Sequence, residues 1–158
     1  MDESTLQVTH LVIPSQIGDR ASCESTGESD TVMWDYFDSE QILLVGWVHS
    51  HPLYDSFFSS VDLHGQFQFQ SSFPQFLGLV YSGINGGIHG FHLTNAGLRS
   101  VHQCILNPID SAGNMINIYR PHTKHDITPG LLYENIDKNI KLVPGKIKVK
   151  DFYSQTFV

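Results

Sequence analysis

The apolar run over residues 42–48 ends in His49-Ser50-His51-Pro52, and after a short loop come Ser59-Ser60 and Asp62. This succession confines the segment to strand, loop and helix. The run reads as a buried strand, and residues two apart on a strand project from one face, so His49 and His51 converge on a single point. Ser59 and Ser60 are good helix N-caps, and Asp62 then falls in the first helical turn, where the positive end of the helix dipole favours a carboxylate. Two imidazoles and a carboxylate make a three-ligand set, the open arrangement of a catalytic zinc, since a structural zinc is normally closed by four protein groups. Zinc lowers the pKa of water from roughly 16 to roughly 7 and polarises a carbonyl. Ser59 can donate to a tetrahedral oxyanion, a contact worth about 3 kcal/mol in the transition state. The chemistry expected is amide hydrolysis.

Histidine is frequent here, with nine in 158 residues, so chance has to be weighed. From the chain's own His, Ser and Asp frequencies, the full four-residue spacing arises by accident roughly once in a few hundred chains of this length.

With Gly46-Trp47 in front, the pattern resembles the JAMM or MPN+ metalloproteases, whose signature is HxHPx, a further stretch, then SxxD. Ser59-Ser60-Val61-Asp62-Leu63-His64 and the earlier Val8-Thr9-His10-Leu11-Val12-Ile13-Pro14 are similar to the AMSH branch, and residues 146–152 resemble its last strand. The likeness runs from about Gln7 onward. It implies an α/β fold of the JAMM/MPN type, a curved mixed β-sheet flanked by helices and cytidine-deaminase-like. It also implies a zinc isopeptidase acting on lysine-63-linked ubiquitin chains, with His49, His51 and Asp62 as zinc ligands and Ser59 as the oxyanion donor. Phe57, in the aromatic loop Leu53-Tyr54-Asp55-Ser56-Phe57-Phe58, aligns with a position lining the substrate groove; packing beneath the loop is an equal alternative. Ubiquitin chains and endosomal sorting proteins are the implied partners.

The same resemblance implies a second zinc. His64 lies two residues beyond Asp62, and i, i+2 positions of a helix do not face one another, so it needs another partner set. The matching candidates are His64, Cys104 and the segment Arg120-Pro121-His122-Thr123-Lys124-His125. Arg120 stands where the family has a histidine and cannot ligate, being a cation without an acceptor. His122 matches directly, and His125 can complete a Cys-His-His-His set. A solvated basic loop with Cys104 as an ordinary buried residue is the alternative.

The general base is the larger departure. The family's amide hydrolases draw a glutamate from a helix and strand preceding Val8-Thr9-His10, where only Asp2 and Glu3 stand here; Glu24, Glu28, Glu40 and Glu134 fall in regions corresponding to loops. The first helix and strand of the domain are therefore expected to be missing. A truncated chain, a paralogue that binds ubiquitin without cutting, and an unrelated residue serving as base all remain open.

Residues 1–158 are read as one N-terminally incomplete domain, and a 41% hydrophobic content suffices for a core. Two cysteines are too few for a disulfide framework, and no long apolar span is evident, so a cytoplasmic protein, peripheral at endosomes, is expected. A net charge of -7 with nine Lys and Arg argues against nucleic acid as a partner. Further elements expected are a strand over 6–13, a loop over 15–30, a helical turn or two over 31–40, strands over 73–81 and 88–93, and a helix over 96–106 packing through Leu98, Val101 and Ile105. A hairpin over 142–149 turning at Pro144-Gly145 completes the list. His10, His89, His92 and His102 show no ligand spacing.

Overall fold

In the computed structural model, residues 6–19, 22–125, 130–141, 145 and 147–153 are described. The elements in chain order are β1 (His10–Ile13), β2 (Gln16–Gly18), β3 (Cys23–Ser25), α1 (Gly27–Glu40), β4 (Gly46–His51), α2 (Ser60–Gln70), β5 (Leu77–Ser82), β6 (Ile88–Leu93), α3 (Asn95–Leu106), β7 (Tyr133–Asn135) and β8 (Lys148–Asp151). They form two compact units, one of residues 1–45 with 142–158, the other of residues 46–141. The chain is a mixed α/β protein consistent with the MPN fold.

In the first unit β1 pairs in parallel with β8, and β2 pairs antiparallel with β3. Thr26 caps α1, its side chain accepting from the Ser29 amide, and Gln41 closes the helix in the left-handed conformation at φ 52. Glu40 at the end of α1 lies 3.9 Å from His10 and 3.6 Å from Lys148. Lys150 lies over the rings of Tyr36 and Phe152 at 5.7 and 5.0 Å.

The second unit carries a four-stranded sheet in the order β4-β5-β6-β7, parallel between the first pair and antiparallel after it. Helices α2 and α3 contact each other and β6. A capping box opens α2, with Ser59 accepting from the Asp62 amide and Asp62 accepting from the Ser59 amide. Thr94 caps α3 through the Gly97 amide. Phe58, Leu63, Val80, Phe91, Leu93, Val101, Leu132 and Tyr133 form the core between helices and sheet.

Several expectations change. The buried strand over 42–48 is instead β4, and it is an edge strand of its sheet among the described residues, so it alternates between half-buried and exposed positions, with Val48 42% exposed. The 6–13 strand shortens to β1, because pairing with β8 begins only at His10. The loop over 15–30 contains β2, β3 and the start of α1, and the helical turn or two becomes a 14-residue helix. The strand over 73–81 starts at Leu77; a turn closed by the Phe76 amide on Phe73 O takes its first residues. On α3 Val101 is buried and Leu98 packs against the core as expected, joined by buried Gly97 and Cys104, whereas Ile105 is 37% exposed. The strand over 88–93 is found with those bounds. Of the hairpin over 142–149, residues 142–144 and 146 fall outside the described residues, as do Asp2 and Glu3; its expected last run leads into β8, which pairs in parallel with β1.

Candidate metal centre

His49 and His51 stand on the same face of β4 with their Nε2 atoms 3.0 Å apart. The capping box turns Asp62 toward them: its Oδ2 accepts the Ser59 amide at 2.7 Å, while Oδ1 lies 3.5 Å from His49 Nε2 and Oδ2 lies 3.9 Å from His51 Nε2. The ligand atoms of all three residues lie within 4.8 Å of one another. His51 Nδ1 faces Asp55 O at 3.0 Å, and since a carbonyl only accepts, Nδ1 carries a proton, which fixes the tautomer in which Nε2 is the atom offered to the centre. Burial alone would raise the Asp62 carboxyl, but His49, through hydrogen bonding and charge, and hydrogen bonds from Ser59 hold it below its ordinary value. The group is therefore an anion at neutral pH.

The second group joins α2, α3 and the 121–125 loop. His64 Nε2 lies 3.3 Å from His122 Nε2 and 3.2 Å from His125 Nε2, and Cys104 Sγ completes a four-residue set within 4.8 Å. His64, Cys104 and His125 are buried. The loop is pinned by the His122 amide donating to Ser60 Oγ at 3.0 Å, and His125 Nδ1 meets Ser100 Oγ at 3.0 Å. Lys124 Nζ donates to Asn107 O at the end of α3. Burial, reinforced by the other histidines, pushes His64 down to about 4; burial, His122 and Lys124 do the same to His125, also to about 4. Burial and Lys124 lower His122, while burial raises the Cys104 thiol. The imidazoles are thus neutral, as ligands must be.

Both donor sets fit zinc. With zinc–nitrogen bonds of about 2.0–2.1 Å, the edge of a tetrahedron is about 3.3 Å, close to the spacings within each cluster. The buried Nδ1 atoms of His49, His64 and His122 have no hydrogen-bond partner among the described residues. Three imidazole nitrogens facing one another cannot satisfy each other by hydrogen bonds alone, whereas one cation can take all their lone pairs.

Phe57 is half-buried, its ring centroid 4.7 Å from that of His51, and it packs against the core edge. Arg120 lines an open cavity of about 400 Å³ beside the second cluster and belongs to no ligand set. Among the other histidines, His89 is bound to Asp137 at 2.6 Å. The sequence did not single out Asp55, Ser100 or Gln66, and it offered Ser60 only as a helix cap. The first two act through a backbone carbonyl or a hydroxyl and leave no spacing signal, while Gln66, one turn beyond Asp62 on α2, was discoverable from helical periodicity.

Mixed sheet, paired helices and an HxHP strand end facing an SxxD helix start together define a chain of the MPN type. The model of the JAB1/Mov34/MPN/PAD-1 ubiquitin protease family matches residues 1–75. The human AMSH-like protease is 29% identical over 136 residues, 86% of this chain and 28% of that protein. A Xenopus laevis STAM-binding protein-like protein is 27% identical over 135 residues, 80% of this chain and 31% of its own length. The AMSH-like protease sst2 of Schizosaccharomyces pombe is 33% identical over 98 residues, 61% and 22%. The chain is similar to the JAMM/MPN family and, within it, to proteins of the AMSH type. It spans less than a third of the length of each of these relatives. Among the described residues no helix is long and apolar enough to cross a membrane.

Proposed function

We propose that this chain is a zinc-dependent isopeptidase that cleaves lysine-63-linked ubiquitin chains. The observation that carries the reading is the convergence of His49, His51 and Asp62 on one point, with their ligand atoms within 4.8 Å of one another. A zinc ion held there supplies a Lewis acid that polarises the scissile carbonyl and makes water nucleophilic at neutral pH. His49 and His51 bind it through Nε2, and Asp62 contributes the anion. Ser59 Oγ accepts from the Asp62 amide, while no described acceptor takes its own proton, so the hydroxyl is free to donate to the carbonyl oxygen as it becomes an oxyanion. Phe57 forms an apolar wall beside His51 for the extended ubiquitin tail.

The second cluster is assigned a structural zinc held by His64, Cys104, His122 and His125. Arg120 stands outside this set, and His125 takes the fourth place. Two relatives bear the name STAM-binding protein-like, which supports an endosomal sorting protein as a partner of this chain and the endosome surface as its place of work.

A second reading, a ubiquitin-binding module that holds zinc without cutting, is favoured by one observation. Asp62 is the only acid of its cluster, and Glu134, the only glutamate of the 46–141 unit, lies on β7 at the opposite edge of the sheet from β4. Incubation of the zinc-loaded chain with lysine-63-linked and lysine-48-linked diubiquitin separates the readings. Cleavage of the first alone, abolished by a chelator, supports the isopeptidase; binding without cleavage supports the module; neither binding nor cleavage removes both.

A further inference from the structure

A buried run of side-chain amides links α2 to β4 and β6. Gln66 is fully buried, and its amide is fully used: Nε2 donates to Gln70 Oε1 at 3.1 Å and to Phe76 O at 2.7 Å, while Oε1 accepts the Trp47 indole N–H at 2.8 Å. Gln70 in turn donates to Leu93 O at 2.9 Å and accepts from the Leu93 amide at 2.8 Å. The indole can only donate, so the orientation of the Gln66 amide is fixed by its neighbours. A buried network with every member satisfied is rigid, because any displacement strands a polar atom away from water.

The Trp47 ring held in this way lies flat against the His49 imidazole, with centroids 4.6 Å apart and planes 10° from parallel. Gln66 is four residues after Asp62, so the two rise from the same side of α2, one turn apart. One helix thus supplies the carboxylate of the first cluster and the amide that steadies the plate on which its first imidazole rests. We propose that Gln66 is a positioning residue for the His49–His51–Asp62 metal site, acting through the Trp47 indole N–H to hold the plane of the His49 ring. The inference rests on the zinc reading given above and deepens it.

The test is a double-mutant cycle on the full chain, with Gln66→Leu, Trp47→Phe and the pair, titrated with cobalt(II). Both clusters give ligand-field bands, so thiolate charge-transfer absorption reports the Cys104 cluster and the ligand-field absorption that grows without it reports the His49 cluster. Outer partners of metal ligands change affinity by about tenfold to a hundredfold. Gln66→Leu is expected to weaken the His49 cluster by that factor and leave the Cys104 cluster unchanged. In the Trp47→Phe background, where the stack remains but no N–H is left to hold, Gln66→Leu is expected to add no further loss. An unchanged His49 cluster, equal weakening of both clusters, or the same loss in both backgrounds overturns the inference. Should Gln66→Leu fail to fold, folded Trp47→Phe decides alone: weakening at the His49 cluster supports the inference, and wild-type affinity sinks it. A wild-type chain that takes up no metal at His49 overturns the zinc reading itself, and the inference with it.

Discussion

Ser59 is asked to do two different things, and the two separate experimentally. As N-cap of α2 it accepts the Asp62 amide at 3.2 Å, and replacing such a cap with alanine costs about 1 kcal/mol of stability. In its proposed role as oxyanion donor, its loss is expected to lower kcat by roughly a hundredfold to a thousandfold. Ser59→Ala is therefore expected to lower urea-unfolding stability slightly, keep its zinc and lose nearly all diubiquitin cleavage, whereas Ser59→Thr retains both cap and donor. If Ser59→Ala keeps full kcat with that small stability loss, the serine is a cap and nothing more.

Gly78, at the element scale, shows how closely β5 approaches the loop before α2 and the helix itself. A Cβ there would stand 2.5 Å from Phe58 Cζ and 2.7 Å from Gln66 Oε1, and both side chains are fully buried. Neither can yield without breaking the core or the amide network, so Gly78→Ala is expected to cost about 1–3 kcal/mol by urea unfolding; a neutral result would mean that strand and helix have slack here. The contact between α2 and the 121–125 loop makes a pH prediction for the metal-free protein. His64 and His125 titrate at about 4 when folded, against an ordinary 6.5 when unfolded. Between those values the unfolded chain binds more protons, so stability is fully present above about 6.5 and falls as the pH drops toward 4. Each histidine contributes roughly 3 kcal/mol at most. Chemical unfolding in a chelator at pH 7 and at pH 4.5 measures it, and equal stabilities would refute it.

For the molecule as a whole, what could be read from the sequence follows the range of the interaction that fixes each part. His49 and His51 share a face because strands repeat every two residues, and Asp62 turns toward Ser59 because a capping box is a matter of four adjacent residues; both are local. Helix α1 is legible only as a helical turn or two over 31–40, because only Ser29 and Phe37 of its residues are buried, leaving no apolar stripe to count. β7 escaped because three residues become a strand only by pairing with β6, although Tyr133 within it is fully buried. The meeting of Cys104 with His122 and His125 depends on how residues 107–120 fold back, which no spacing encodes; family resemblance pointed to Cys104 and His122, and the structure brings His125 beside them.

This difference in range predicts what metal removal does. The His49 cluster joins β4 to α2, which the Trp47–Gln66 bond already ties together. The His64–Cys104–His122–His125 cluster joins α2, α3 and a loop reached through a long irregular connection, so a zinc ion there would tie down a loop that is otherwise held by the hydrogen bonds of His122, Lys124 and His125. Ligand bound a thousandfold above its Kd stabilises by about 4 kcal/mol, and in a chain of this size that corresponds to roughly 10 °C in Tm. Chelation is expected to lower Tm by about that amount and to release two zinc ions per chain. Relative to the zinc-loaded wild type, Cys104→Ser should lose one ion and most of the Tm; His49→Ala should lose the other ion and little Tm. Atomic emission with thermal unfolding reads both quantities, and equal Tm losses in the two variants would mean that the second cluster has no special part in holding the helices together.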